Sequence, residues 1–138
     1  MDPDSRTSPA RVSEAITHSV RVEVMSRYEA ERSRPMMNEW VFQYTVRITN
    51  LGTEQVQLLS RHWIITDAME HTEHVQGPGV IGQQPLLKPG ESFQYSSWCP
   101  LRTPMGTMYG TYQMVHPNGE QFDVDIAAFS LEAPYTVQ

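Results

Sequence analysis

An all-β sandwich of about seven antiparallel strands is what three features of this sequence predict. Short runs alternate apolar and polar residues at period two, turn residues punctuate the chain at short spacing, and no stretch carries a useful amphipathic helical period. A small barrel is the alternative arrangement of the same strands. A chain of 138 residues suits one domain, large enough to bury roughly two-thirds of its unfolded surface without metal or disulfide staples.

In chain order, residues 1 to about 17 are rich in Ser, Pro and charge with no sustained period. They read as a disordered tail (residues 1–18), with a single domain over 19–138. Val20, Val22 and Val24 then alternate with Arg21 and Glu23 as a half-buried first strand. Residues 26–38 break the alternation and read as a connecting loop in which Arg27, Arg32 and Arg34 mix with Tyr28, Glu29 and Glu31. Trp40, Phe42, Tyr44, Val46 and Ile48 give the clearest strand. Asn50-Leu51-Gly52-Thr53 is turn chemistry, with Asn and Gly able to take positive φ, and predicts a hairpin to a partner strand over 55–68. That partner switches its apolar side near Leu58-Leu59, which predicts a β-bulge or bend. Later strands follow at Phe93 and Tyr95, at Met108 to Met114, and at Phe122 to Ile126. The last two are joined by a Pro117-Asn118-Gly119-Glu120 turn.

Composition narrows the function classes. No apolar run approaches the about 20 residues of a membrane span, and the N-terminus has no signal-peptide core, so the expectation is a soluble cytoplasmic protein. Cys99 is the sole cysteine and fits a reducing compartment. A net charge of −6 argues against non-specific nucleic-acid binding.

The densest stretch is 60–91. Its Gly77-Pro78-Gly79-Val80-Ile81-Gly82 loop has the G-x-G-x-x-G spacing of dinucleotide sites, but Pro78, Pro85 and the lack of a following helix remove the strand-to-helix context that binds a pyrophosphate. Two readings remain: a tight bend between strands, or a backbone-amide nest for an anion, formed by Gly77, Gly79 and Gly82 with Arg61 nearby. The plainer reading of Arg61 is a structural ion pair with nearby carboxylates or a stacking partner beside Trp63. His71 and His74, within Glu70-His71-Thr72-Glu73-His74, are candidate metal ligands, yet in a strand they would point to opposite faces, and a solvated hairpin tip is the plainer reading. Cys99 has no neighbouring cations and reads as a buried, inert thiol.

A series of motifs now carries a resemblance. Leu59-Ser60-Arg61-His62-Trp63, Ile65-Thr66-Asp67-Ala68, Val75 through Pro85, Lys88-Pro89-Gly90-Glu91, Thr103-Pro104-Met105-Gly106-Thr107-Met108, Gly110-Thr111-Tyr112-Gln113-Met114 and Phe129-Ser130-Leu131 resemble the ApaG protein family in order and spacing, from Val20 onward. The resemblance implies a fibronectin type III-like, immunoglobulin-like β-sandwich. It also implies a bacterial protein linked to cobalt resistance and magnesium efflux, often encoded beside a diadenosine tetraphosphate hydrolase. Relatives within F-box proteins and a DNA-polymerase-interacting protein look like protein-interaction modules. The resemblance nominates no catalytic residue and no cofactor. This chain departs from the family pattern at Glu70 and Trp98, where glycine is common, and at Ala127, where proline is frequent.

Without a nucleophile, a paired acid and base or a strong metal motif, the sequence supports a non-enzymatic binding module with a protein partner, no nucleic acid and no membrane. The alternative is a weak phosphate or nucleotide binder at the Gly77 to Gly82 loop.

Overall fold

The period-two runs do become strands. The computed structural model of the chain describes residues 11–134. Among the described residues nine strands run in order: β1 (Arg11–Thr17), β2 (Val20–Tyr28), β3 (Trp40–Asn50), β4 (Val56–Asp67), β5 (Thr72–Pro78), β6 (Leu86–Leu87), β7 (Ser92–Leu101), β8 (Met105–Val115) and β9 (Gln121–Glu132). They form two antiparallel sheets, one ordered β1-β2-β3-β7 and the other β5-β4-β8-β9 with β6 also paired to β4. The sandwich is as expected, and the helical content of the described residues is two short 3₁₀ turns, Ala30–Arg32 and Pro35–Met37. The even-numbered residues of β2 and β3 face inward against Leu58, Trp63, Met108, Tyr112, Val124 and Ile126 from the opposite sheet, so one apolar core fills the space between.

Three expectations need correction. Residues 11–17 are not a disordered tail: Arg11–Thr17 pairs along its whole length with β2, and residues 1–10 lie outside the described residues. His18 and Ser19 make that hairpin with φ of 49° and 63°, a two-residue turn with both centres left-handed but without the usual glycine, so the sequence carries no turn signal there. Nine strands replace about seven, because β1, the two-residue β6 and β5, which has only Val75 as an inward apolar residue, lack a run of alternating apolar residues. Finally, β3 and β4 are not hairpin partners. They belong to different sheets. Neither Asn50 nor Gly52 takes positive φ. Instead the buried Asn50 side chain accepts from the Gly52 N–H at 2.9 Å and donates to the carbonyls of Glu54 (2.8 Å) and Leu87 (3.0 Å). It thereby steers the chain across the core, and its own polar atoms are satisfied.

Two other turn readings hold. The β4–β8 register shifts between Leu58 and Ser60, at the expected bulge. The β8–β9 connection closes with Gly119 at φ 89° and with Gly119 N–H donating to the His116 carbonyl at 2.9 Å.

Aromatic rings organise the core. Trp63, 2% exposed, meets Tyr44 at 5.2 Å, Phe129 at 5.9 Å and Tyr112 at 6.4 Å between ring centroids, all edge to face. Tyr95 on β7 and Tyr112 on β8 share a buried hydroxyl–hydroxyl hydrogen bond that joins the two sheets. Burial pushes the phenols of Tyr44, Tyr95 and Tyr112 above their ordinary value. Burial, with a smaller contribution from the charge of Glu73, pushes the Cys99 thiol up to about 12.

Two predictions follow from this packing. A Cβ at Gly110 would lie 2.0 Å from the His62 carbonyl oxygen and 3.1 Å from Trp63 Cα. Both are backbone atoms that cannot rotate away. Gly110→Ala is expected to cost about 1–3 kcal/mol in urea unfolding, whereas a loss below about 0.5 kcal/mol would mean that β4 and β8 separate freely. The raised groups bind their protons more tightly in the folded state, so their contribution is full below their unfolded pKa and is lost as pH rises. Denaturant midpoints should be level through neutrality and fall above about pH 9–10. A midpoint unchanged at about pH 11 would contradict the burial of these phenols.

Candidate binding site on the open side of the sandwich

The two long sides of the sandwich differ. On one, β1 and β9 lie against each other: Ser13 Oγ donates to the Ala127 carbonyl at 3.0 Å, and the Asp125 N–H donates to Thr17 Oγ1 at 3.1 Å. On the other, β5 and β7 are sheet edges without such a partner among the described residues. Between them runs a groove of about 280 Å³ lined by Tyr44, Arg61, Trp63, Val75, Trp98 and Cys99, among others. It opens beside a broader cleft of about 910 Å³ whose lining mixes Arg34 and Arg102 with Glu39, Asp67 and Glu73.

Arg61 stands at the mouth of the groove because β4 projects it beside the glycine loop. Its Nη1 donates to the carbonyls of Pro78 (3.0 Å) and Gly79 (2.9 Å), and Gly77 lies so close that an added Cβ would meet the guanidinium at 3.2 Å. The loop itself is a tight hairpin. Val80 and Gln83 exchange N–H to carbonyl bonds of 2.8 and 2.9 Å, and the residues between them, Ile81 and Gly82, have φ of 41° and 76°. Gly79, at φ 61°, donates its N–H to the Leu59 carbonyl at 2.8 Å, and a Cβ there would strike the Gln83 carbonyl at 2.3 Å. An amide nest needs successive free N–H groups. That of Gly79 is engaged by Leu59 on β4, those of Val80 and Gln83 are engaged across the loop, and Arg61 is turned to loop carbonyls. The geometry supplies a braced bend that positions Arg61.

The two candidate histidines separate. His71 sits in the β4–β5 turn with Nδ1 3.6 Å from Asp67 Oδ2. Asp67 Oδ1 accepts from the N–H groups of Met69 (2.8 Å) and His71 (3.0 Å). Desolvation opposes ionisation of Asp67, but these bonds and the His71 ring outweigh it and hold the carboxyl below its usual range. His74 lies on β5 and faces His62 on β4, Nε2 of His62 standing 2.8 Å from Nδ1 of His74. Among the described residues no group of three or more His, Cys, Asp or Glu could hold a metal ion.

Sequence reasoning missed the open edge of β7. Its inward residues Tyr95, Cys99 and Leu101 are buried, while Trp98 is 40% exposed and carries the Arg32 guanidinium 4.1 Å from its ring centroid. The Arg-rich loop thus folds back onto Trp98. A signal was present in the ten-residue run of β7, which contains no charged side chain.

Known proteins place the chain in a family. Residues 30–116 match the ApaG domain. Protein ApaG from Bordetella pertussis is 54% identical over 120 residues, covering 87% of this chain and 92% of that protein. Protein ApaG from Thiobacillus denitrificans is 48% identical over 123 residues, covering 89% of this chain and 97% of that one. The fold agrees with a crystal structure described as an ApaA protein from Bordetella pertussis, at TM-score 0.83 and 53% identity over 88% of this chain and 99% of that chain. A second X-ray structure, a structural-genomics target, superposes at TM-score 0.80 with 42% identity. The strand order, the bulge after Leu58 and the glycine hairpin of this chain are therefore those of a protein that belongs to the ApaG domain family.

Proposed function

We propose that the domain is a non-enzymatic binding module that takes an extended segment of a protein partner as an added strand along β7. The observation that carries this reading is the long uncharged run of that edge. Soluble proteins blunt exposed strands with charges, prolines, bulges or short length. β5 follows the rule, being seven residues long with Glu73, His74 and Pro78. β7 runs for ten residues without a charge, its one proline, Pro100, standing next to its last residue, and its register with β3 is unbroken from Thr49–Ser92 to Trp40–Leu101.

Hydrogen-bond direction supports the same edge. Asn50 N–H donates to the Glu91 carbonyl at 3.0 Å. Alternation along an antiparallel pair then turns the N–H groups of Ser92, Gln94, Ser96 and Trp98 away from β3. Pro100 shares that parity, so its missing N–H removes nothing from the ladder with β3 and ends the row of outward donors at Trp98. An added strand would gain those amides, and the adjoining groove would take one of its side chains. Catalysis has less support, since the Cys99 thiol is buried with its pKa near 12 and is not a nucleophile at neutral pH. The link to cobalt resistance and magnesium efflux that the family resemblance implies is, on this reading, an effect exerted through the partner.

Gln94→Pro tests the proposal. It removes one outward N–H and no bond to β3. The variant is expected to keep the wild-type unfolding midpoint and to lose a partner captured by wild type. With that partner bound, wild-type amides 92, 94, 96 and 98 should gain protection from hydrogen exchange. A partner retained by Gln94→Pro, or protection confined to another surface, would contradict docking at β7.

A further inference from the structure

On the outer face of the second sheet, away from β7, His62 and His74 point their ring nitrogens at each other. They come from the paired strands β4 and β5 as diagonal neighbours, two residues off direct register, His62 opposite Gln76 and His74 opposite Ile64. The Nε2 to Nδ1 separation is 2.8 Å and the ring centroids are 5.1 Å apart. A single shared hydrogen holds the pair together, one ring donating and the other accepting.

We propose that this pair is a two-histidine chelate for a late first-row divalent ion of tetragonal preference, copper(II) or nickel(II). The argument is geometric. Two metal–nitrogen bonds of about 2.0–2.1 Å at a right angle place their nitrogens about 2.9 Å apart, close to the spacing already built into the strands, whereas a tetrahedral angle requires about 3.4 Å. Neutral imidazole is the ligand form. On binding, the bridging hydrogen moves to the other nitrogen of its own ring, both lone pairs face the ion, and two nitrogen–metal bonds replace one hydrogen bond. His74 is exposed and His62 partly so. An ion bound at a right angle lies off the line between the two nitrogens, so each ring turns through roughly 45° to aim its lone pair, and water fills the remaining positions. His71, the nearer histidine in sequence, plays no part because it is held at Asp67.

The backbone makes the chelate selective for this pair. Gly110 lies directly against the His62 carbonyl, so the β4 backbone beneath His62 is clamped, and the β4–β5 ladder from Ser60–Pro78 to Thr66–Thr72 fixes His74 relative to it. Preorganised ligands lose less freedom on binding than two histidines on a loop.

The test is a copper(II) and nickel(II) titration of the full, untagged chain by calorimetry, with electron paramagnetic resonance on the copper form. One ion per chain is expected, with nitrogen superhyperfine splitting from two imidazoles and at least tenfold weaker binding in His74→Ala. His71→Ala should bind as wild type does. His62→Ala should behave as His74→Ala does; if it fails to fold, His74→Ala alone decides. Unchanged affinity in His74→Ala, or an equal loss in His71→Ala, would overturn the proposal and mean scattered surface histidines only.

Discussion

The structure depends on one contact between its two sheets, the buried hydrogen bond between the hydroxyls of Tyr95 and Tyr112. An unpaired hydroxyl in this interior would carry a desolvation penalty of about 1–3 kcal/mol, so each phenol needs the other. That requirement fixes where β7 stands over β8. Trp63 packs edge to face on Tyr112 and Tyr44, which ties the apolar contacts to the same point. Dispersion and burial supply most of the stabilisation, while the hydroxyl pair selects one register among the ways two apolar faces could slide.

With the sheets pinned there, the sandwich closes on only one side. β9 reaches both β1 and β2, and Ser26 Oγ adds a hydrogen bond to the Ser130 carbonyl at 2.9 Å. On the far side β5 and β7 stay apart and the groove between them persists. The glycine loop belongs to this open side as a brace: its carbonyls hold Arg61, and Arg61 in turn faces the mouth of the tyrosine cluster, lowering the phenol pKa values against the stronger effect of burial. Architecture and candidate function thus have one origin, an asymmetric closure of two sheets.

Much of this was legible in residue pattern. Trp40 to Ile48 declared its strand and its buried face, and Leu58-Leu59 declared the bulge, because both are local consequences of a two-residue period. What stayed hidden was non-local. The partner of β3 is chosen by an Asn50 side chain reaching Leu87, thirty-seven residues away, and nothing in Asn50-Leu51-Gly52 distinguishes that from a hairpin. The β1 hairpin turns on His18 and Ser19 at positive φ, a choice enforced by pairing rather than by propensity. At the site, G-x-G-x-x-G spacing drew attention to a loop whose Gly79 and Val80 amides the fold engages internally, and the approach of His74 to His62 follows from a register that no spacing rule specifies.

The most direct test of this account is a double-mutant cycle with Tyr95→Phe and Tyr112→Phe, read as unfolding free energy in urea. Each single variant strands one buried hydroxyl and is expected to lose about 1–3 kcal/mol, and the double variant, which strands none, should lose no more than either single. Losses that add would mean that the two hydroxyls act independently and that the sheets are held in register by apolar packing alone.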